Sequence, residues 1–189
     1  MYGNFDGLLT LAEKTRVPLW QVILENEKKL SEKNEEEIFS LLQQRYDVME
    51  ASAHRAMEAP MPTVLGLISG ISAPQNRYAE QNGGLCGALV NKAMAYALSC
   101  SEVNAAMGKI CAAPTAGACG ILPAVLLTLK EALALSQRQT LCGLLTASGV
   151  GAIIMKNATV SGAEGGCQAE CGVAAAMAAS AAVELAGGS

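Results

Sequence analysis

The sequence predicts an all-α, single-domain fold in which an apolar central helix is surrounded by amphipathic ones. Three observations carry that prediction. No segment alternates apolar and polar residues with period two, and apolar side chains instead recur at helical spacing over most of the chain. The charges are segregated: residues 1–60 hold 11 of the 17 acidic and 7 of the 13 basic side chains, the mark of a solvated layer over a largely buried body. With 51% hydrophobic and 16% charged residues in 189, the chain is long and apolar enough to bury a substantial core. Residues 1–60 are therefore expected as amphipathic helices packing on a core built from residues 61–189, in one domain.

Taken in order, Asp6 can cap a short helix bearing Leu8, Leu9, Leu11 and Ala12. Pro18 sits where the first turn of a second helix tolerates a missing N–H, and Trp20, Ile23 and Leu24 continue it to about Leu30. Asn34 and Glu37 form a capping-box pattern ahead of Ile38, Leu41, Leu42, Tyr46, Met49, Ala53 and Met57, and Pro60 and Pro62 end that helix. Residues 63–84 read as a loop around Gly66, Gly70, Pro74, Asn76, Asn82 and Gly83. A helix follows over 85–100, then a short one capped by Ser101 and closed by Gly108. Apolar helices are expected over 120–135, 140–154 and 168–185, the last rich enough in alanine for close helix packing.

A net charge of −4 supplies no positive field for phosphates, so nucleic-acid binding is set aside. Residues 110–129 carry no charge, the length of a membrane span, yet Pro114 and Pro123 bracket a loop-like run that would leave amides unsatisfied in lipid. No membrane partner is expected. The opening Met1-Tyr2-Gly3-Asn4-Phe5-Asp6 has neither a basic nor an apolar leader region, and the seven cysteines then read as cytoplasmic thiols, most of them small buried hydrophobes.

Chemistry concentrates between Lys156 and Gly172, where polar groups, glycines and two thiols interrupt apolar helices. Buried polar groups there need partners or a ligand, and glycines let backbone amides approach one closely. Cys167 and Cys171 would share a helix face, which suits joint metal ligation and core packing alike. Asn104, Thr115, Asn157 and Ser161 suit caps and turns as well as a site. His54, the only histidine, lies on the long N-terminal helix and reads as a packing or surface residue.

Four ordered blocks carry a resemblance. They are Glu102-Val103-Asn104-Ala105-Ala106-Met107-Gly108, Ile110-Cys111-Ala112-Ala113-Pro114-Thr115-Ala116-Gly117, Gly120-Ile121-Leu122-Pro123-Ala124-Val125-Leu126 and Ser161-Gly162-Ala163-Glu164-Gly165-Gly166-Cys167-Gln168-Ala169-Glu170-Cys171-Gly172. Together they resemble the α chain of the iron–sulfur-dependent L-serine dehydratases. The resemblance is most specific over 102–179 and weakest before Pro60.

That resemblance implies an all-helical catalytic domain holding a [4Fe–4S] cluster through three cysteines, with one iron left open to act as a Lewis acid on the hydroxyl of L-serine. Cys167 falls at the first ligand position. The other two ligands belong to a downstream cysteine- and proline-bearing stretch that this sequence does not contain, so the chain is expected to be a truncated α subunit, inactive alone. Cys171 stands where the family requires no thiol. Thr115, Ala116, Gly117, Ser161 and Gly162 are implied to shape the substrate and cluster pocket, with Asn104, Lys156 and Asn157 behind them. The catalytic base stays unassigned, because the family's Ser-Ser-Ser-His-Thr-type motif belongs to a β domain or subunit; that β subunit is the expected partner, in an oligomer. Three alternatives stay open: a pyridoxal-phosphate lyase using Lys156, a cluster-free helical docking fragment, and a sister lyase acting on cysteine or threonine.

Overall fold

Eight α-helices form among the residues that the computed structural model describes, 2–81 and 84–188, and no strand is present among them. They are α1 (Phe5–Thr15), α2 (Leu19–Ser31), α3 (Glu35–Glu58), α4 (Ser72–Gln81), α5 (Gly87–Ala105), α6 (Ile121–Ala132), α7 (Gln137–Asn157) and α8 (Gly162–Leu185). The all-α expectation is met, and the centre of the bundle is α7. Every residue from 140 to 147 is buried, and α8, α2, α3 and α6 all pack against this helix. The close approach depends on glycine: a Cβ added at Gly149 would stand 2.5 Å from Ile23 Cδ1, and one at Gly151 would stand 2.9 Å from Met177 Sδ. α2 and α8 thus press on α7 from two directions.

Local chemistry explains the ends of these helices. Asn34 accepts from the Glu37 N–H at 3.0 Å while the Glu37 carboxylate accepts from the Asn34 N–H at 2.8 Å, the expected capping box of α3. A second box, Ser136 with Gln139, opens α7 three residues earlier than the apolar spacing suggested. α1 is capped by Asn4, not Asp6: the extended Asn4 backbone lets its side chain accept from the Gly7 N–H at 2.9 Å, and Asp6 lies inside the first turn, where its charge favours the helix dipole.

Two other expectations are corrected. The loop predicted over 63–84 contains α4, a polar helix held by hydrogen bonds rather than by an apolar stripe. Ser72 Oγ donates to the Ala95 carbonyl at 3.1 Å, Gln75 donates to the Asn91 side chain at 2.8 Å, and Pro74 occupies the first turn, where its missing N–H costs nothing. Asn82 and Gly83, at the end of that expected loop, lie outside the described residues. Ser101 starts no helix: its hydroxyl donates to the Ala97 carbonyl within α5, which runs on to Ala105. The helix then closes in a Schellman turn, with Met107 at φ 60° and the Gly108 N–H bonded to the Val103 carbonyl at 2.8 Å.

The uncharged stretch 110–129 does not form one helix, because an irregular segment occupies its first half and α6 begins only at Ile121. Among the described residues one helix, α7, is long and apolar enough to cross a membrane, and 67% of its apolar window is buried within the bundle.

Glu102 on α5 organises the segment before α4. Fully buried, its carboxylate accepts from the backbone N–H groups of Met61 at 2.7 Å, Gly70 at 2.8 Å and Ser72 at 3.5 Å. A carboxylate so supplied with donors is tolerated in a core that would otherwise reject it.

Candidate functional site

Two irregular segments and the start of α8 converge at one place. The first segment leaves the Schellman end of α5 and turns through a short 3-10 turn, Ala116–Ala118, in front of α6. Asn104 Nδ2, on the last turn of α5, donates to the Ala116 carbonyl at 3.2 Å and so fastens this turn from one side. Further along the same helix, buried Cys119 places its thiol 3.7 Å from the Cys100 carbonyl, and an added Cβ at Gly120 would come within 2.6 Å of the Ala97 carbonyl oxygen. Thr115 precedes the turn, and its buried hydroxyl has no hydrogen-bond partner among the described residues. An orphaned hydroxyl of this kind costs stability unless something else satisfies it.

The second segment follows α7. Thr159 Oγ1 donates to Glu164 at 2.6 Å and accepts from the Ser161 N–H at 3.2 Å, while Ser161 Oγ caps α8 through the Ala163 N–H at 3.3 Å. α8 begins six residues before the apolar pattern predicted, but it is broken at Gly166, whose φ of 75° and ψ of 171° suit glycine alone. The helix restarts at Cys167. That thiol is exposed, with its sulfur 3.9 Å from the sulfur of Cys171 one turn on. The hydrogen bond with Cys167 pushes the Cys171 thiol above its ordinary range, with burial and the nearby Cys167 and Glu170 adding to it.

Glu170 joins the two segments. Its carboxylate fills the gap that glycine leaves on each: a Cβ on Gly117 would lie 2.7 Å from Oε2, and one on Gly162 would lie 2.8 Å from Cδ and 2.9 Å from Oε2. Gly117 and Gly162, one from each of the two stretches expected to shape a pocket, therefore both lie against a glutamate one turn from Cys167 on α8. Sequence reasoning passed over Glu170. The available signal was a pair of glycines in separate segments, each needing room for a neighbour that spacing could not name.

The second-rank candidates divide. Asn104 reaches the convergence. Asn157 instead donates to the Ile153 carbonyl at 2.7 Å and to the Gly3 carbonyl at 3.3 Å, tying down the N-terminal segment. Lys156 sits beside Gly3 on a groove of about 720 Å³ between α2, α3 and α7, which shares no lining residue with the convergence. His54 packs edge-on against Tyr96, with ring centroids 5.1 Å apart, and its Nδ1 lies 2.8 Å from the Glu50 carbonyl, a packing role as expected.

Residues 14–189 match the family described as the serine dehydratase alpha chain. The chain belongs to that family. Among its relatives, the L-serine dehydratase alpha chain of Peptoniphilus asaccharolyticus is 43% identical over 100% of this chain and 64% of its own length. The probable L-serine dehydratase alpha chain of Bacillus subtilis is 38% identical over 100% of this chain and 62% of its own. L-serine dehydratase 2 of Escherichia coli is 34% identical over 100% of this chain and 42% of its own. The chain thus spans less than two thirds of the length of these relatives. No solved structure matches it.

Whether an iron–sulfur cluster suits this chain depends on its donors. The exposed Cys167 thiol is a soft ligand of the right kind. The surface around it is open, since a Cβ at Gly166 or Gly172 would meet nothing within 4 Å. Among the described residues, however, no group of three or more Cys, His, Asp or Glu side chains gathers as a metal site. Cys167 fits as one ligand of a cluster, and the described residues do not complete the set.

Proposed function

We propose that this chain is the α component of an iron–sulfur L-serine ammonia-lyase, which converts L-serine to pyruvate and ammonia together with a β subunit. The observation that carries the proposal is that Gly117 and Gly162 both lie against Glu170, one helix turn from the exposed Cys167. Family membership and relatives named for L-serine dehydration support the substrate. Seven free thiols support a reducing cytoplasmic setting, in which such a cluster is stable.

In this reading Cys167 is the chain's ligand to a [4Fe–4S] cluster. When bound, the cluster supplies an open iron, a Lewis acid that makes the serine hydroxyl a better leaving group. The chain's own residues position and enclose the substrate. Thr115 brings a buried hydroxyl without a partner among the described residues, and Gly117 and Gly162 leave the room that the Glu170 carboxylate takes. Asn104 holds the turn at Ala116 against the end of α5. Loss of the α-proton and of the hydroxyl gives an enamine, which tautomerises to an imine and is hydrolysed to pyruvate and ammonia. The base that removes the α-proton is assigned to the β partner, where the family's histidine-bearing motif belongs.

The test is a substrate panel on the complete, anaerobically prepared enzyme, with pyruvate and ammonia measured together. L-serine is expected to be turned over faster than L-threonine or L-cysteine. Turnover of cysteine without serine would transfer the chain to a sister lyase, and no turnover of any of the three would leave only a docking role.

A further inference from the structure

We propose that Glu170 is the specificity residue that receives the substrate's α-ammonium group. The inference rests on the convergence being the amino-acid site, and it adds which substrate group goes where.

The Glu170 carboxylate is half-buried against two glycine backbones, Gly117 on one side and Gly162 on the other, so part of its hydration is replaced by C–H surface. Among the described residues it forms no hydrogen bond and no ion pair, unlike Glu102 with its three amides, Glu50 with the Lys130 ammonium and Glu184 with the Trp20 amide. A carboxylate stripped of part of its water and left without a donor calls for a cation or a strong hydrogen-bond donor. A β-hydroxy amino acid offers three polar groups. Its carboxylate is repelled by Glu170, and its hydroxyl is a neutral donor and the weaker match. Its ammonium is the complement in both charge and hydrogen bonding.

The placement also orients the molecule. Glu170 and Cys167 are three residues apart on α8 and so lie on one face. An ammonium anchored at Glu170 leaves the remainder of a small substrate to extend toward the Cys167 end of that face. A side chain at Gly117 or Gly162 would displace the carboxylate from this position.

The experiment uses the complete enzyme and two non-reacting competitors, L-alanine and propionate, which differ by the amine and cannot lose a hydroxyl. In the wild type, L-alanine is expected to inhibit serine turnover more strongly than propionate by about tenfold or more, the worth of one charge-assisted hydrogen bond. In E170Q that preference is expected to collapse to about twofold, with KM for L-serine rising more than kcat falls, and E170D is expected to recover part of it. A wild-type enzyme that does not distinguish the two competitors overturns the proposal without any variant being needed. So does an E170Q enzyme that keeps the full preference. Turnover of L-serine is scored separately, so an enzyme that processes serine yet ignores the amine refutes the Glu170 assignment alone.

Discussion

Replacing Glu102 with alanine removes the carboxylate to which the Met61, Gly70 and Ser72 amides donate, and the cost can be worked from the geometry. Two of these bonds, at 2.7 and 2.8 Å, are short and charge-assisted, and the third, at 3.5 Å, is marginal. At about 1.5–3 kcal/mol for each bond to a charged group, the loss comes to about 3–5 kcal/mol. For a chain of this size that lowers the thermal midpoint by about 10 °C. Glu102→Gln keeps one acceptor oxygen and nearly the same volume, so its loss is expected to be about half as large. Circular dichroism melts at neutral pH read the midpoint, and amide hydrogen exchange at Met61 and Gly70 reads the local effect. Protection of both amides is expected to fall before the helices melt. An alanine variant melting within about 2 °C of wild type, with both amides still protected, would refute this account of how the segment before α4 is held.

The other predictions concern packing, thiols and pH. Gly149→Ala places a methyl within 3 Å of three Ile23 side-chain atoms and is expected to cost about 1–3 kcal/mol, read as a lower urea midpoint. Burial pushes the Cys100 thiol up to about 12 and those of Cys119 and Cys142 to about 11, while Cys86 and Cys167 are exposed. At pH 8 an aromatic disulfide reagent is therefore expected to modify Cys86 and Cys167 first and the three buried thiols only after unfolding; peptide mapping that finds the buried three modified equally fast would contradict the packing. Glu184 is raised above the usual carboxylate range, by burial first, against the opposing effect of the Thr146 hydroxyl and the Trp20 amide. The folded state then holds this proton more tightly than the unfolded chain does, so stability falls as pH rises from about 4.5 through the raised folded value. Glu184→Gln is expected to flatten that part of the pH–melting curve, and an unchanged slope would assign it to other groups.

What the sequence disclosed depends on the kind of interaction involved. α3 was legible because its apolar period and its Asn34–Glu37 box agree, and α6 and α7 because their apolar runs are long. α4 was not, because Ser72, Gln75 and Asn76 hold it to α5 through hydrogen bonds, and a polar helix of that sort has the composition of a loop. Glu102 was hidden for a related reason: burial of a charge depends on three amides from a segment some thirty to forty residues away. At the site, motif blocks pointed to residues 115–117, 161–162 and Cys167. They did not point to Glu170, since the room made by Gly117 and Gly162 becomes visible only once both segments are placed against α8. Lys156, a second-rank candidate for the site, lies instead at the end of α7 beside the N-terminal segment.

Iron and acid-labile sulfide per chain, measured on the complete enzyme after anaerobic purification, test the central claim most directly when Cys167→Ser is compared with Cys171→Ala. The account predicts that the Cys167 variant loses most of both while remaining folded by circular dichroism, and that the Cys171 variant keeps the wild-type content. Full iron and sulfide in the Cys167 variant would contradict it.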